Sequence, residues 1–202
     1  PDYENLITLM EDNDKYMLLK PGDIGYYYNF AKVIDNDTLL VENGCAPIAN
    51  MGVYIDIFPL DGMPEEGVAI DRHFAALKEV RTRINSFSFI KTKLRKNLYM
   101  YFKIINTYRR NNKKKDLISL QKLYTSTALR YEYDDSKYVY ATGGAYDKKD
   151  IFLKNLFSDG VDVEFEGEFF KAPTEWDVYL RQLYGDYMQL PPIVKRISNH
   201  NY

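Results

Sequence analysis

The chain has 202 residues, 46% of them hydrophobic and 28% charged, with a formal net charge of −2. That length and composition fit one ordinary globular domain with a real core, and no apolar run approaches the roughly 18–20 residues that span a bilayer. Cys45 is the only cysteine, which excludes an internal disulfide and a zinc–thiolate cluster and makes a reducing, cytoplasmic setting the default expectation.

The chain opens on Pro1 in mid-pattern. Asp2 is a good N-cap, and Leu6, Ile7, Leu9 and Met10 follow at helical spacing, so a helix is predicted here. A preceding segment is expected upstream, and the sequence reads as a piece of the working protein. Next comes "YYYNFAKVIDNDTLLVENG". It predicts one strand over Tyr26–Ile34, a turn at Asp35, Asn36 and Asp37, and a second strand over Thr38–Glu42. "CAPIANMG" reads as a loop. "GVYIDIFPLDG" then reads as a buried strand over Val53–Phe58 that Pro59 ends, with Asp61 terminating it. Three strands with short connections predict a small sheet.

Residues 70–130 are helical in character. Leu94, Leu98, Tyr101, Ile105 and Tyr108 make one helix face, "RRNNKKKD" a break, and Leu117, Leu120, Leu123 and Tyr124 a second face. In the last third, "YVYATGG" predicts a strand and "VEFEGEFFKAP" a hairpin turning at Glu166 and Gly167. Thr174 is then the expected cap of a helix, with Asp177 completing a capping-box-like pair. Trp176, Leu180, Leu183 and Tyr184 form that helix's apolar face, and Gly185 stops it.

Charge is unevenly spread. Between Val80 and Lys115 there are twelve Lys and Arg residues and no Asp or Glu, so the rest of the chain carries −14. Three readings fit this run: a solvated helix face, a contact with an anionic membrane leaflet, or a site for a polyanionic glycan. No recognised nucleic-acid motif accompanies it, and nucleic acid is not expected as a partner.

Asp56 raises the sharpest question. Side chains alternate along a strand, so Val53, Ile55 and Ile57 share one face and Tyr54, Asp56 and Phe58 the other. A buried carboxylate stays ionised only with a cation, several donors or a metal. Two readings are open: a structural acid paired with Lys, Arg or loop N–H groups, or a ligand for Mg²⁺ or Mn²⁺.

Four separated segments resemble the LicD family of phosphotransferases. "MGVYIDIFPLDGMPE" and "FEGEFFKAPTEWDVYLRQLYGDYMQLPP" carry its signatures, "FAKVIDNDT" its Ala-Lys-x-x-Asp hairpin, and "PDYENLI" the segment after its metal motif. The resemblance runs from residue 1 to about 200 and is weakest between 80 and 135. It implies an α+β fold: a single domain over 1–202 with a nucleotidyltransferase-like mixed sheet flanked by helices, and a basic helical insertion over 70–130. It implies transfer of a phosphorylated alcohol, typically phosphocholine, from a CDP-linked donor to a sugar hydroxyl of teichoic acid or lipopolysaccharide. Fukutin and fukutin-related protein, which transfer ribitol phosphate, share the superfamily.

The resemblance also implies residue roles. Asp56 matches the third metal-binding Asp, which favours the Mg²⁺ or Mn²⁺ reading; the family's "WDDDID" segment would lie upstream of Pro1. Lys32 is a candidate contact for donor phosphate, set against a solvated strand lysine. Asp186, in the matched "YGD", and His200, in "RISNH", are candidate substrate contacts. Tyr184 reads as core, and Asp35 as a turn residue. "GGAY" at 143–146 is either a ligand approach or a plain turn. A lipid-linked or polymeric glycan is the expected acceptor, with 81–115 touching the inner face of the membrane. The alternative is a catalytically incomplete module that binds a nucleotide or anionic glycan, and a third possibility is a basic protein docking through 81–115.

Overall fold

The structure is a computed structural model and describes residues 2–11, 13–42, 45–88, 116–196 and 200–201. Among the described residues the helices are α1 (Asp2–Glu11), α2 (Gly67–Asn85), α3 (Leu117–Ala128) and α4 (Trp176–Tyr184). The strands among these residues are β1 (Tyr16–Leu19), β2 (Ala31–Asp35), β3 (Val41–Glu42), β4 (Tyr54–Ile57), β5 (Leu60–Met63), β6 (Tyr138–Ala141), β7 (Ile151–Leu153), β8 (Val161–Phe165), β9 (Glu168–Ala172) and β10 (His200–Asn201). The class is α+β, and every described pairing is antiparallel. Among the described residues no helix is long and apolar enough to cross a membrane.

The chain divides into two compact units. The first comprises Pro1–Pro59, Ala75–Ala128 and Ser198–Tyr202; the second comprises Leu60–Phe74 and Leu129–Ile197. The first unit holds the sheet β1-β2-β4 and the pair β10-β3. Its core gathers Ile34, Leu40 and Met51, with Met17, Leu19, Tyr28, Ile48 and Tyr54 packed against them. Helix α3 starts where Asp116 Oδ1 accepts the Ser119 N–H at 2.6 Å, an N-cap that satisfies an otherwise orphaned donor.

The second unit holds the sheet β5-β6-β7 and the hairpin β8-β9. Val139, Ala141, Phe152, Leu156 and Leu183 form its core, with Tyr179 and Phe157 against them. The hairpin turns where expected: Glu166 has φ 53° and Gly167 φ 85°, the left-handed pair that matches strand twist. Gly185 ends α4 at φ 72°, its N–H donating to the Arg181 carbonyl.

Several expectations are corrected. Tyr26–Phe30 is not a strand, and Thr38–Leu40 is not one either. Strand β1, which the sequence did not announce, pairs with β2 from Tyr16↔Asp35 to Leu19↔Lys32. Asp61 does not end a strand: it lies in β5, opposite Tyr140. Val53 and Ile55 are exposed, so β4 is open on one face. Thr174 does not cap α4. Its hydroxyl is shared with Ser158 and the Gly160 N–H, while Asp177 binds Arg181 and Tyr187. Tyr184 is exposed rather than core; Tyr179 and Leu183 make the packed face. The predicted helix face from Leu94 to Tyr108 lies outside the described residues, as does the basic run from Lys91 to Lys115.

His73, on α2 in the second unit, is buried, and neither ring nitrogen has a hydrogen-bond partner among the described residues. Its ring meets Tyr131 edge-on at 4.9 Å. Burial, and then the charge of Arg130, push its pKa below the usual value. The unfolded chain therefore takes up a proton near pH 6.5 that the folded chain refuses. Stability from this group is present above pH 6.5 and is lost as pH falls through the folded pKa, at a slope of at most about 1.4 kcal/mol per pH unit. His73→Phe is expected to flatten the fall in melting temperature between pH 7 and pH 5. An unchanged pH slope in that variant would remove His73 from the account.

Candidate functional site

Two sequence candidates meet in the first unit. The register of β2 and β4 sets Lys32 directly opposite Asp56, and Ile34 opposite Tyr54. Cross-strand neighbours point to the same face, so the lysine and the acid are brought together by the ladder itself. The Lys32 ammonium donates to Asp56 Oδ1 at 2.5 Å. Lys32 is only 1% exposed, whereas the Asp56 side chain is 32% exposed.

Aromatic rings enclose the ammonium. It lies 3.3 Å from the Tyr54 ring centroid, 4.6 Å from Tyr28 and 5.2 Å from Phe30, distances at which a ring face attracts a cation. Burial lowers the Lys32 pKa, and Asp56 opposes that shift. A short bond to a carboxylate favours the charged ammonium as donor.

Glu42 braces this wall. It accepts the Tyr28 hydroxyl at 2.6 Å and the Tyr54 hydroxyl at 2.7 Å, one on each carboxylate oxygen. Burial first, and then the bonds to Glu42, hold both phenols well above their ordinary pKa, so both stay donors. The backbone of the Tyr26–Phe30 segment is pinned from α3. Buried Gln121 donates to the carbonyls of Tyr26 and Tyr28 at 2.8 and 3.1 Å and accepts the Gly22 N–H at 3.1 Å. The Tyr26 hydroxyl closes the segment on the Phe30 carbonyl at 2.7 Å. Phe58, 40% exposed, stands edge-on against Phe30 at 4.6 Å.

Asp35 is a turn residue: its Oδ1 accepts the Asp37 N–H at 3.0 Å. The His200 backbone pairs opposite Glu42, and its side chain lies outside the described residues. Asp186 belongs to the second unit, where it is exposed and its carbonyl accepts the Gln189 N–H at 3.2 Å. In the same unit, "GGAY" packs closely: a Cβ on Gly144 would collide with the buried Asp150 carboxylate, which accepts the Tyr146 N–H at 2.7 Å. Glu42, Tyr28, Tyr54 and Gln121 were not singled out from the sequence. The run of aromatics ahead of Lys32, and the alternation of Tyr54 with Asp56, carried the only local signal of the enclosure.

A divalent cation would need several oxygen ligands. Asp56 Oδ1 is taken by Lys32, while Oδ2 has no hydrogen-bond partner among the described residues, so Asp56 can offer one oxygen. Both Glu42 oxygens are engaged. Among the described residues no group of three His, Cys, Asp or Glu side chains could hold a metal ion. Among the described residues, Asp56 by itself does not make a metal site.

In comparison with characterised proteins, the chain is 26% identical over 206 aligned residues to the lipopolysaccharide cholinephosphotransferase LicD of Haemophilus influenzae, covering 98% of this chain and 74% of that protein. No family model matches the chain, and no solved structure matches it.

Proposed function

We propose that this chain is a LicD-family transferase that moves a phosphorylated alcohol, phosphocholine first among them, from a CDP-linked donor to a sugar hydroxyl of a cell-surface glycan. The observation that carries the reading is similarity along 98% of the chain to a lipopolysaccharide cholinephosphotransferase. A nucleotidyltransferase-like arrangement of the sheet follows from the same reading. Asp56 would hold Mg²⁺ or Mn²⁺ through Oδ2, with its other ligands coming from outside the described residues. Bound there, the ion would neutralise charge on the donor diphosphate. Asp186 and His200 are assigned to substrate contact. The basic run 81–115 is assigned to the anionic inner face of the membrane, where a lipid-linked acceptor would be presented.

The test is release of CMP from CDP-choline by the purified protein with Mg²⁺ or Mn²⁺ and lipopolysaccharide as acceptor. The expected result is acceptor-dependent CMP release that chelation with EDTA stops. No release with either ion sinks the reading. A second reading, a module that binds nucleotide or anionic glycan without transfer, draws on the lack of a three-ligand cluster among the described residues. It predicts CDP-choline binding that EDTA leaves unchanged, with no CMP formed.

A further inference from the structure

The site contains a lysine closed off from solvent beside an acid that is open to it. Lys32 is 1% exposed. One of its N–H bonds goes to Asp56 Oδ1 at 2.5 Å, and the ring faces of Tyr54, Tyr28 and Phe30 surround the rest of the ammonium. An ammonium that binds a diphosphate must reach it, and this one is walled in. Asp56 is the reverse: its side chain is 32% exposed, and Oδ2 has no partner among the described residues. The wall is held in place, since Glu42 grips the hydroxyls of Tyr28 and Tyr54 at 2.6 and 2.7 Å. The contacts Glu42–Tyr54–Lys32–Asp56 thus hold Oδ1, while Oδ2 has no hydrogen-bond partner among the described residues and the side chain as a whole stays 32% exposed.

We propose that Lys32 is a positioning residue, which clamps Asp56 Oδ1 so that Oδ2 is aimed at the reacting groups, and which does not contact the donor. This rests on the transfer reaction proposed above. It differs from a donor-phosphate role in what it does to kinetics. A misaimed carboxylate lowers turnover, because a displacement of about 1 Å at a reacting centre costs up to about 100-fold in rate. A lost phosphate contact instead weakens donor binding.

The experiment compares the protein with its K32M and K32R variants and follows the Lys32 ammonium by ¹⁵N-lysine NMR. K32M is expected to lower kcat about 10- to 100-fold and to leave KM for CDP-choline within about twofold. K32R is expected not to rescue turnover, because the guanidinium is larger than the closed space that Lys32 fills. In the unsubstituted protein the Lys32 Nζ–H signal should be visible, protected from exchange by burial. It should move in D56N and stay in place when CDP-choline is added at concentrations that shift other signals. A KM raised tenfold with kcat preserved, rescue by K32R, or a Lys32 signal that moves with CDP-choline would each overturn the positioning role. Should K32M fail to fold, the spectra of the unsubstituted protein still decide the matter. If the unsubstituted protein shows neither CMP release nor any CDP-choline-induced shift, the transfer reading itself fails and the positioning role fails with it. That result is distinct from an active protein whose K32M variant is altered in KM.

Discussion

Replacing Asp56 with Asn is expected to lower CDP-choline- and metal-dependent transfer by about 100- to 1000-fold in protein that is still folded, the scale on which loss of one charge-stabilising group acts. Asn keeps the shape and can still accept the Lys32 N–H through its amide oxygen. What it loses is the negative charge of a partly exposed side chain whose Oδ2 has no hydrogen-bond partner among the described residues. The substitution also leaves a closed-in ammonium opposite a neutral partner, so some loss of stability accompanies it. Activity must therefore be measured below the onset of melting, with circular dichroism establishing the folded fraction. Folded D56N that retains a tenth or more of the rate would return Asp56 to the purely structural role. Mn²⁺ binding, followed by electron paramagnetic resonance, gives the same answer without substrate: weakened binding in D56N is expected if Oδ2 is a ligand.

The second large effect is on stability. Gly52 leads into β4 at the place where the Asp35–Thr38 turn crosses it. The Asp35 N–H donates to the Val53 carbonyl at 2.9 Å, and the Val53 N–H donates to Thr38 Oγ1 at 2.7 Å. Thr38 Oγ1 in turn donates to the Asp35 carbonyl at 2.8 Å. A Cβ on Gly52 would strike the Asp35 carbonyl oxygen, and would lie 2.6 Å from Thr38 Oγ1 and 2.9 Å from the Thr38 carbonyl oxygen. Two of these three atoms are backbone and cannot swing aside. Gly52→Ala is expected to cost about 3 kcal/mol, lowering the melting temperature by about 6–12 °C. The damage falls on the same strand that carries Asp56, so turnover should drop before the melt begins. A loss below about 1 kcal/mol in urea unfolding would show that the crossing can relax.

The contrast between readable and unreadable elements has a physical pattern. The β8-β9 hairpin was legible because its turn chemistry is local: Glu166 and Gly167 take positive φ, and the strands follow from the turn. The Asp35–Asp37 turn and the Gly185 stop are local in the same way. The Tyr26–Phe30 run misled because its β-like composition was overruled from far away. The carbonyls of Tyr26 and Tyr28 go to Gln121, 95 and 93 residues distant, and not to a neighbouring strand. Asp61 looked like a strand end because Pro59 precedes it, yet β6 supplies a partner from residues 138–141. Thr174 offered its hydroxyl to a helix and found Ser158 and Gly160 nearer.

By itself, the sequence determined the local turns and stops and an acid at position 56 that called for a cation or a metal, and its family resemblance implied the α+β class. It also marked Lys32 and Asp56 as separate candidates. Only the tertiary structure decided that they are one unit, because a register between strands 24 residues apart is set by which faces can be buried and not by either strand alone. The same holds for the enclosure around them. Glu42, Tyr28 and Tyr54 are ordinary residues in the chain, and they become a braced wall only when two strands, β3 and β4, and the loop before β2 come together.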